Sequence, residues 1–169
     1  MQSKRKIVTK ELSLIDLGQL AINWCKKKTK EGVIIFNEVN VGGNQSLIRF
    51  ATKKMDEFLP PFNSENVGWE NRNYFYEINF RDGKREKMWI AIKNNGLEKA
   101  TQKAKLIYEF SNKEFSASDR WWTAWGTFTV KREAILNQET MDKILDEQFE
   151  DLMHTENNFF NYLRKQNEK

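Results

Sequence analysis

The stretch Tyr74-Phe75-Tyr76-Glu77-Ile78-Asn79-Phe80 alternates ring or apolar side chains with others and runs directly into Arg81-Asp82-Gly83-Lys84. Period-two alternation sends successive side chains to opposite faces of a strand, and Asp-Gly is a strong signal for a tight hairpin turn. A returning apolar stretch, Met88 to Ile92, is closed by Asn94-Asn95-Gly96. An antiparallel pair is therefore expected at the centre of the chain. A hairpin alone is marginal in water, so it needs more strands and helices to cover it.

The flanking segments supply both. Leu14, Leu17, Ala21 and Trp24 recur at three- and four-residue steps and predict an amphipathic helix from Leu12 to about Lys28. Gly32 to Val41, rich in Val, Ile and Phe, reads as a strand ending at Gly42-Gly43. Asn44 is positioned to cap a second helix carrying Leu47, Ile48, Ala51, Met55 and Phe58 on one face, stopped by Pro60-Pro61. Leu97 to Phe110 has helical spacing, Trp121 to Val130 has strand composition, and Gln138 to about Lys165 is helical as one segment or two. The expected fold is α+β: an antiparallel sheet of three or four strands with helices packed mainly on one face. Its 169 residues suit a single domain spanning 1–169, with residues 1–10 as a basic mobile arm and a subregion boundary at 60–68.

Composition narrows the chemistry. Aromatic residues reach 13%, too many for a disordered chain, and charged residues make up 31%. The longest apolar run, Val33-Ile34-Ile35-Phe36, is far short of the roughly 20 residues a membrane span needs. No apolar region of signal type follows Lys4-Arg5-Lys6, so a cytoplasmic location is expected. Cys25 is the sole cysteine and His154 the sole histidine, which excludes an internal disulfide and a Cys/His metal cluster. No cofactor is expected.

The net charge of +4 is unevenly spread: residues 1–30 carry eight bases against two acids, and residues 137–169 carry eight acids against four bases. Lys26, Lys27, Lys28 and Lys30 form the densest basic run. Such a run neutralises phosphates without reading sequence, or it complements the negative end of a helix dipole. Arg120, Trp121, Trp122 and Trp125 form the densest aromatic cluster. On a regular strand Trp121 and Trp125 share one face and Trp122 takes the other. Rings beside Arg stack on bases or anchor protein interfaces, while core packing is the competing use.

Catalytic readings are thinner. His154 lies in an acidic helical stretch with no identifiable nucleophile, and Cys25 sits beside three lysines on an apolar helix face. Val41-Gly42-Gly43-Asn44 would offer an anion cradle only as the start of a helix. A magnesium nuclease needs clustered carboxylates with a lysine, and the acid-x-Lys match, Asp82-Gly83-Lys84, falls on the hairpin turn. Glu38 and Glu77 are the other acids such an enzyme would use.

Gly68-Trp69, the aromatic hairpin of 74–92, the 97–110 helix, the Trp-rich 121–130 strand and the acidic 138–163 helix follow one another in an order that resembles an accessory domain. It is the small domain that follows the catalytic core in some bacterial PD-(D/E)XK nuclease-family proteins. The resemblance spans residues 68–165 and lacks the catalytic half, so it implies a recognition or regulatory module and not nuclease activity. The function expected is a non-enzymatic binding or regulatory module that recognises a protein partner, with nucleic acid second, through Lys26, Lys27, Lys28, Lys30, Arg120, Trp121, Trp122 and Trp125. Such a module also suits a phage or mobile-element inhibitor, and self-association as a homodimer is open. The alternative is a magnesium-dependent nuclease or nucleotide-processing enzyme. A small planar ligand held between rings is a third class.

Overall fold

Why the central hairpin folds as it does is visible in its register. In a computed structural model, which describes residues 11–43, 45–61, 71–81, 85–93, 98–113, 121–127 and 130–168, β3 (Tyr74–Asn79) pairs antiparallel with β4 (Arg85–Lys93). Ile78 lies opposite Met88, Tyr76 opposite Ile90 and Tyr74 opposite Ile92, so the apolar sets of both strands share one face. Asp82, Gly83 and Lys84 lie outside the described residues.

The described residues extend this pair to six strands in the order β1-β2-β3-β4-β5, with β6 also paired to β4. β1 is Val41–Gly42, β2 Leu47–Phe50, β5 Trp121–Gly126 and β6 Val130–Lys131. The class is α+β, as the sequence indicates, with a wider sheet than three or four strands.

Among the described residues four α-helices supply the cover: α1 (Leu14–Lys30), α2 (Lys53–Phe58), α3 (Glu98–Phe110) and α4 (Gln138–Asn167). Each places apolar side chains in one cluster with the same sheet face: Leu17 and Trp24 from α1, Met55 from α2, Ile107 from α3, Leu145 and Phe159 from α4. The strands contribute Phe50, Tyr76, Ile90 and Trp122. Sheet and core therefore run across the Pro60-Pro61 boundary, whose remaining residues from 62 on lie outside the described set. No helix among the described residues is long and apolar enough to cross a membrane.

Ser13 caps α1 through a capping box with Asp16. α4 is one continuous helix of 30 residues, begun by a matching box of Asn137 and Thr140. The first half of α4 runs alongside α1, joined by Trp24 Nε1 donating to Asp146 at 2.9 Å and Gln138 Nε2 donating to the Leu20 carbonyl at 3.0 Å.

Two segments differ from expectation. The strand anticipated over 32–41 is reduced to an isolated bridge between Ile35 and Ala51 and the two residues of β1. Between them Asn37 accepts from the Val39 amide at 3.1 Å and caps a 3-10 turn at Glu38–Asn40, which takes the backbone out of extended geometry. The helix anticipated from 44 to 58 splits. Leu47–Phe50 pairs with β3 as a strand, and helix begins only at Lys53, where the Thr52 hydroxyl accepts from the Met55 amide. A four-residue segment with three apolar side chains fits either period, and pairing with the hairpin decides. Asn44 itself lies outside the described residues.

Candidate functional site

The lysine run sits on the last two turns of α1, where positive charge complements the helix dipole. Three of its members are already paired within the chain. Lys26 bonds Glu38, Lys27 lies 3.2 Å from Asp142, and Lys28 lies 2.8 Å from Asp146 and 3.5 Å from Glu31. Burial pulls the Lys28 pKa down, but Asp146 and Glu31 outweigh it and leave the group above its ordinary value. Burial likewise raises Asp146, and the bonds from Lys28 and Trp24 outweigh that, so its carboxyl sits below the usual range. Lys30 is exposed and makes no ion pair with any described residue.

Two open grooves flank this helix end and share Lys26 and Lys30. One is completed by Asn23, Lys27 and Glu31, the other by Thr29, Phe36, Asn37 and Glu38. The 3-10 turn that replaces the expected strand makes the second groove, because it turns Asn37 and Glu38 back toward α1. Val39 on that turn is 60% exposed, and Val33 just after the helix is 41% exposed. The second groove thus sets the Phe36 ring beside Lys26 and Lys30. Phe36, Asn37, Val33 and Val39 were hidden from sequence reasoning, since a regular strand would have buried half of them.

The tryptophans go elsewhere. Trp122 is 3% exposed and packs edge-on against Tyr108 at 5.1 Å. Trp125 contacts Phe110 at 6.0 Å and Phe159 at 5.7 Å. Both are core side chains, so the expected split between faces does not hold. The register explains it: Trp89 lies opposite Gly126 and Ala91 opposite Thr123, leaving Ala124 and Trp125 together against Ile90. This β-bulge turns Trp125 toward the side already occupied by Trp122 and Ala124. Arg120 and the Trp121 side chain lie outside the described residues.

The sheet's second face is unusually polar for its burial. Arg49 binds Glu77 at 2.9 Å and lies over the Phe75 ring at 4.9 Å, and Lys87 lies over Trp89 at 4.5 Å. Burial raises the Glu77 pKa above its ordinary value although Arg49 opposes it. Glu77 is thus engaged by Arg49 and Glu38 by Lys26, while Asp82 lies outside the described residues. Among the described residues no group of three or more His, Cys, Asp or Glu side chains could hold a metal ion.

The remaining candidates resolve locally. Cys25 is fully buried and burial pushes its thiol pKa well up, which disfavours the reactive thiolate. His154 is exposed on α4. Gly42 and Gly43 lead into β2 and not into a helix, so the anion cradle lacks the helix terminus it required. Compared with known proteins, the chain matches no protein-family model, no curated protein and no solved structure.

Proposed function

We propose that the protein is a non-enzymatic binding module whose working surface is the corner formed by the end of α1 and the 37–40 turn. The observation that carries this reading is the company kept by Lys30, which makes no ion pair with any described residue. Exposed Lys30 shares its grooves with Lys26 and, in one of them, with Phe36, while Val33 and Val39, in the segment that follows α1, are exposed. A phosphate backbone calls for several uncompensated cations, and three of the four lysines here already face carboxylates. An apolar ring beside an ammonium that no described carboxylate pairs suits a protein segment bearing acidic and apolar residues. The Lys26–Glu38 pair is solvent-exposed, so an incoming carboxylate can exchange with Glu38 at little cost. A recognition or regulatory module is also what the resemblance over residues 68–165 implies.

The test is affinity capture from cell extract with and without nuclease, using the wild type, Lys30→Glu and Val39→Asp. Each variant should lose at least about tenfold in affinity, roughly what 1.4 kcal/mol represents, with an unchanged circular dichroism spectrum. Capture that survives nuclease but is indifferent to both substitutions would place the partner elsewhere. Capture abolished by nuclease would assign the lysines to nucleic acid instead.

A further inference from the structure

The second half of α4 is fastened to the sheet by a carboxyl group that no cation among the described residues bonds directly. Glu156 is 3% exposed. Its Oε2 accepts from the Thr52 hydroxyl at 2.8 Å and the Tyr76 hydroxyl at 2.7 Å, and no cation among the described residues lies within ion-pair distance. The groups facing it come from three directions. β3 presents Tyr76, and behind it Tyr74, whose hydroxyl donates to Asp56 at 2.7 Å while Arg72 binds the same carboxylate. α2 presents Lys54, whose ammonium is directed to Asn157 and lies 5.4 Å from the centre of the Phe160 ring. β5 contributes the uncharged Trp125, and the charged neighbours on α4 itself, Asp151 and His154, are exposed.

We infer that Glu156 is a proton-controlled latch: with its carboxyl neutral the second half of α4 stays seated, and ionisation favours its release from the sheet. A buried charge without a partner is costly, whereas the same carboxylate in an opened, solvated helix is not. The pKa direction agrees. Burial raises it above the ordinary glutamate value, and the hydrogen bonds from Tyr76 and Thr52, with the charge of Lys54 nearby, only partly offset this. The sign follows from linkage. The seated state holds the proton more tightly, so seating weakens as pH rises from the ordinary glutamate range through the raised value. What release uncovers is specific. Phe159, fully buried, touches Phe58 at 5.4 Å, Phe110 at 5.5 Å and Trp125 at 5.7 Å, so opening exposes a cluster of rings.

Hydrogen exchange of peptides from the second half of α4, corrected for intrinsic exchange rates, tests this between pH 5 and 8. In the wild type the opening constant should rise by up to about tenfold per pH unit within the titration window. In Glu156→Gln it should be flat, and peptides from the first half of α4 should show no such difference between the two proteins. A slope that persists in Glu156→Gln, or a flat wild type, overturns the latch. Should that variant not fold, a carbon-13 titration of the Glu156 carboxyl in the wild type decides. A midpoint at or below the ordinary value of 4.5 overturns the proposal. A midpoint above it, moved higher still in Tyr76→Phe by loss of a donor to the carboxylate, supports it.

Discussion

Two glycines in this protein illustrate how differently the same side chain can be required. A Cβ added at Gly18 on α1 would stand 2.0 Å from the Gln45 carbonyl oxygen, a backbone atom that cannot swing aside. Gln45 itself holds a left-handed φ of 66°, so the loop has little freedom to retreat. Gly32, just past the helix, has open space around it and needs glycine only for its φ of +72°. Gly18→Ala should therefore lose about 1–3 kcal/mol or more through forced displacement, and Gly32→Ala about 1 kcal/mol through backbone strain. Urea denaturation of both checks the order, and equal losses would contradict it. Trp24 carries a polar role inside an apolar one. Replacing it with Phe keeps the ring contacts with Phe50 and Phe149 but removes the donor to Asp146, at about 1–3 kcal/mol.

At the scale of elements the bulge in β5 has the largest effect. It converts a strand that should show a tryptophan on each face into one that delivers Trp122 and Trp125 to the same core. Trp125→Ala should cost roughly 3 kcal/mol, as a core ring does, although regular alternation would set Trp125 on the opposite face from Trp122. Thermal unfolding measures this directly, and a loss of only a few tenths would return Trp125 to the surface. The lysine pairs lie at the other extreme. Lys27→Ala should change stability by less than about 1 kcal/mol, since its partner lies across a half-exposed contact. The long-period elements were legible from sequence, because α1, α3, α4 and the 74–92 hairpin each carry enough repeats for one period to prevail. β2 and the 37–40 turn were not. Leu47–Phe50 is too short to choose a period alone, and the Asn37 cap acts through one hydrogen bond that leaves no pattern. The candidate surface was half legible for the same reason: the lysines announce themselves, while their apolar neighbours depend on that cap.

For the whole molecule, acid behaviour should run opposite to the common pattern. Glu77 and Glu156 lie on opposite faces of the sheet system, and burial raises both above their ordinary values. A carboxyl raised on folding contributes most when protonated, so stability should decline as pH rises from the ordinary carboxylate range through the raised values. Asp146 works the other way, contributing above its unfolded pKa and losing that as pH falls. The doubly substituted Glu77→Gln, Glu156→Gln protein should show a flatter stability profile between pH 4 and 7 than the wild type. An unchanged slope would mean that neither site retains its proton on folding.

α1 and α4 stand side by side, yet the residues that join them, Asn23 and Gln138 among others, are 115 positions apart. On a ribosome, the parts of α1 and of the sheet that α4 covers must wait until residues 138–167 have been synthesised and have left the exit tunnel. Closure of this core consequently follows the synthesis of α4, and nascent chains stalled before it present the rings that Phe149 would meet, Trp24 and Phe50, to whatever chaperone attends them.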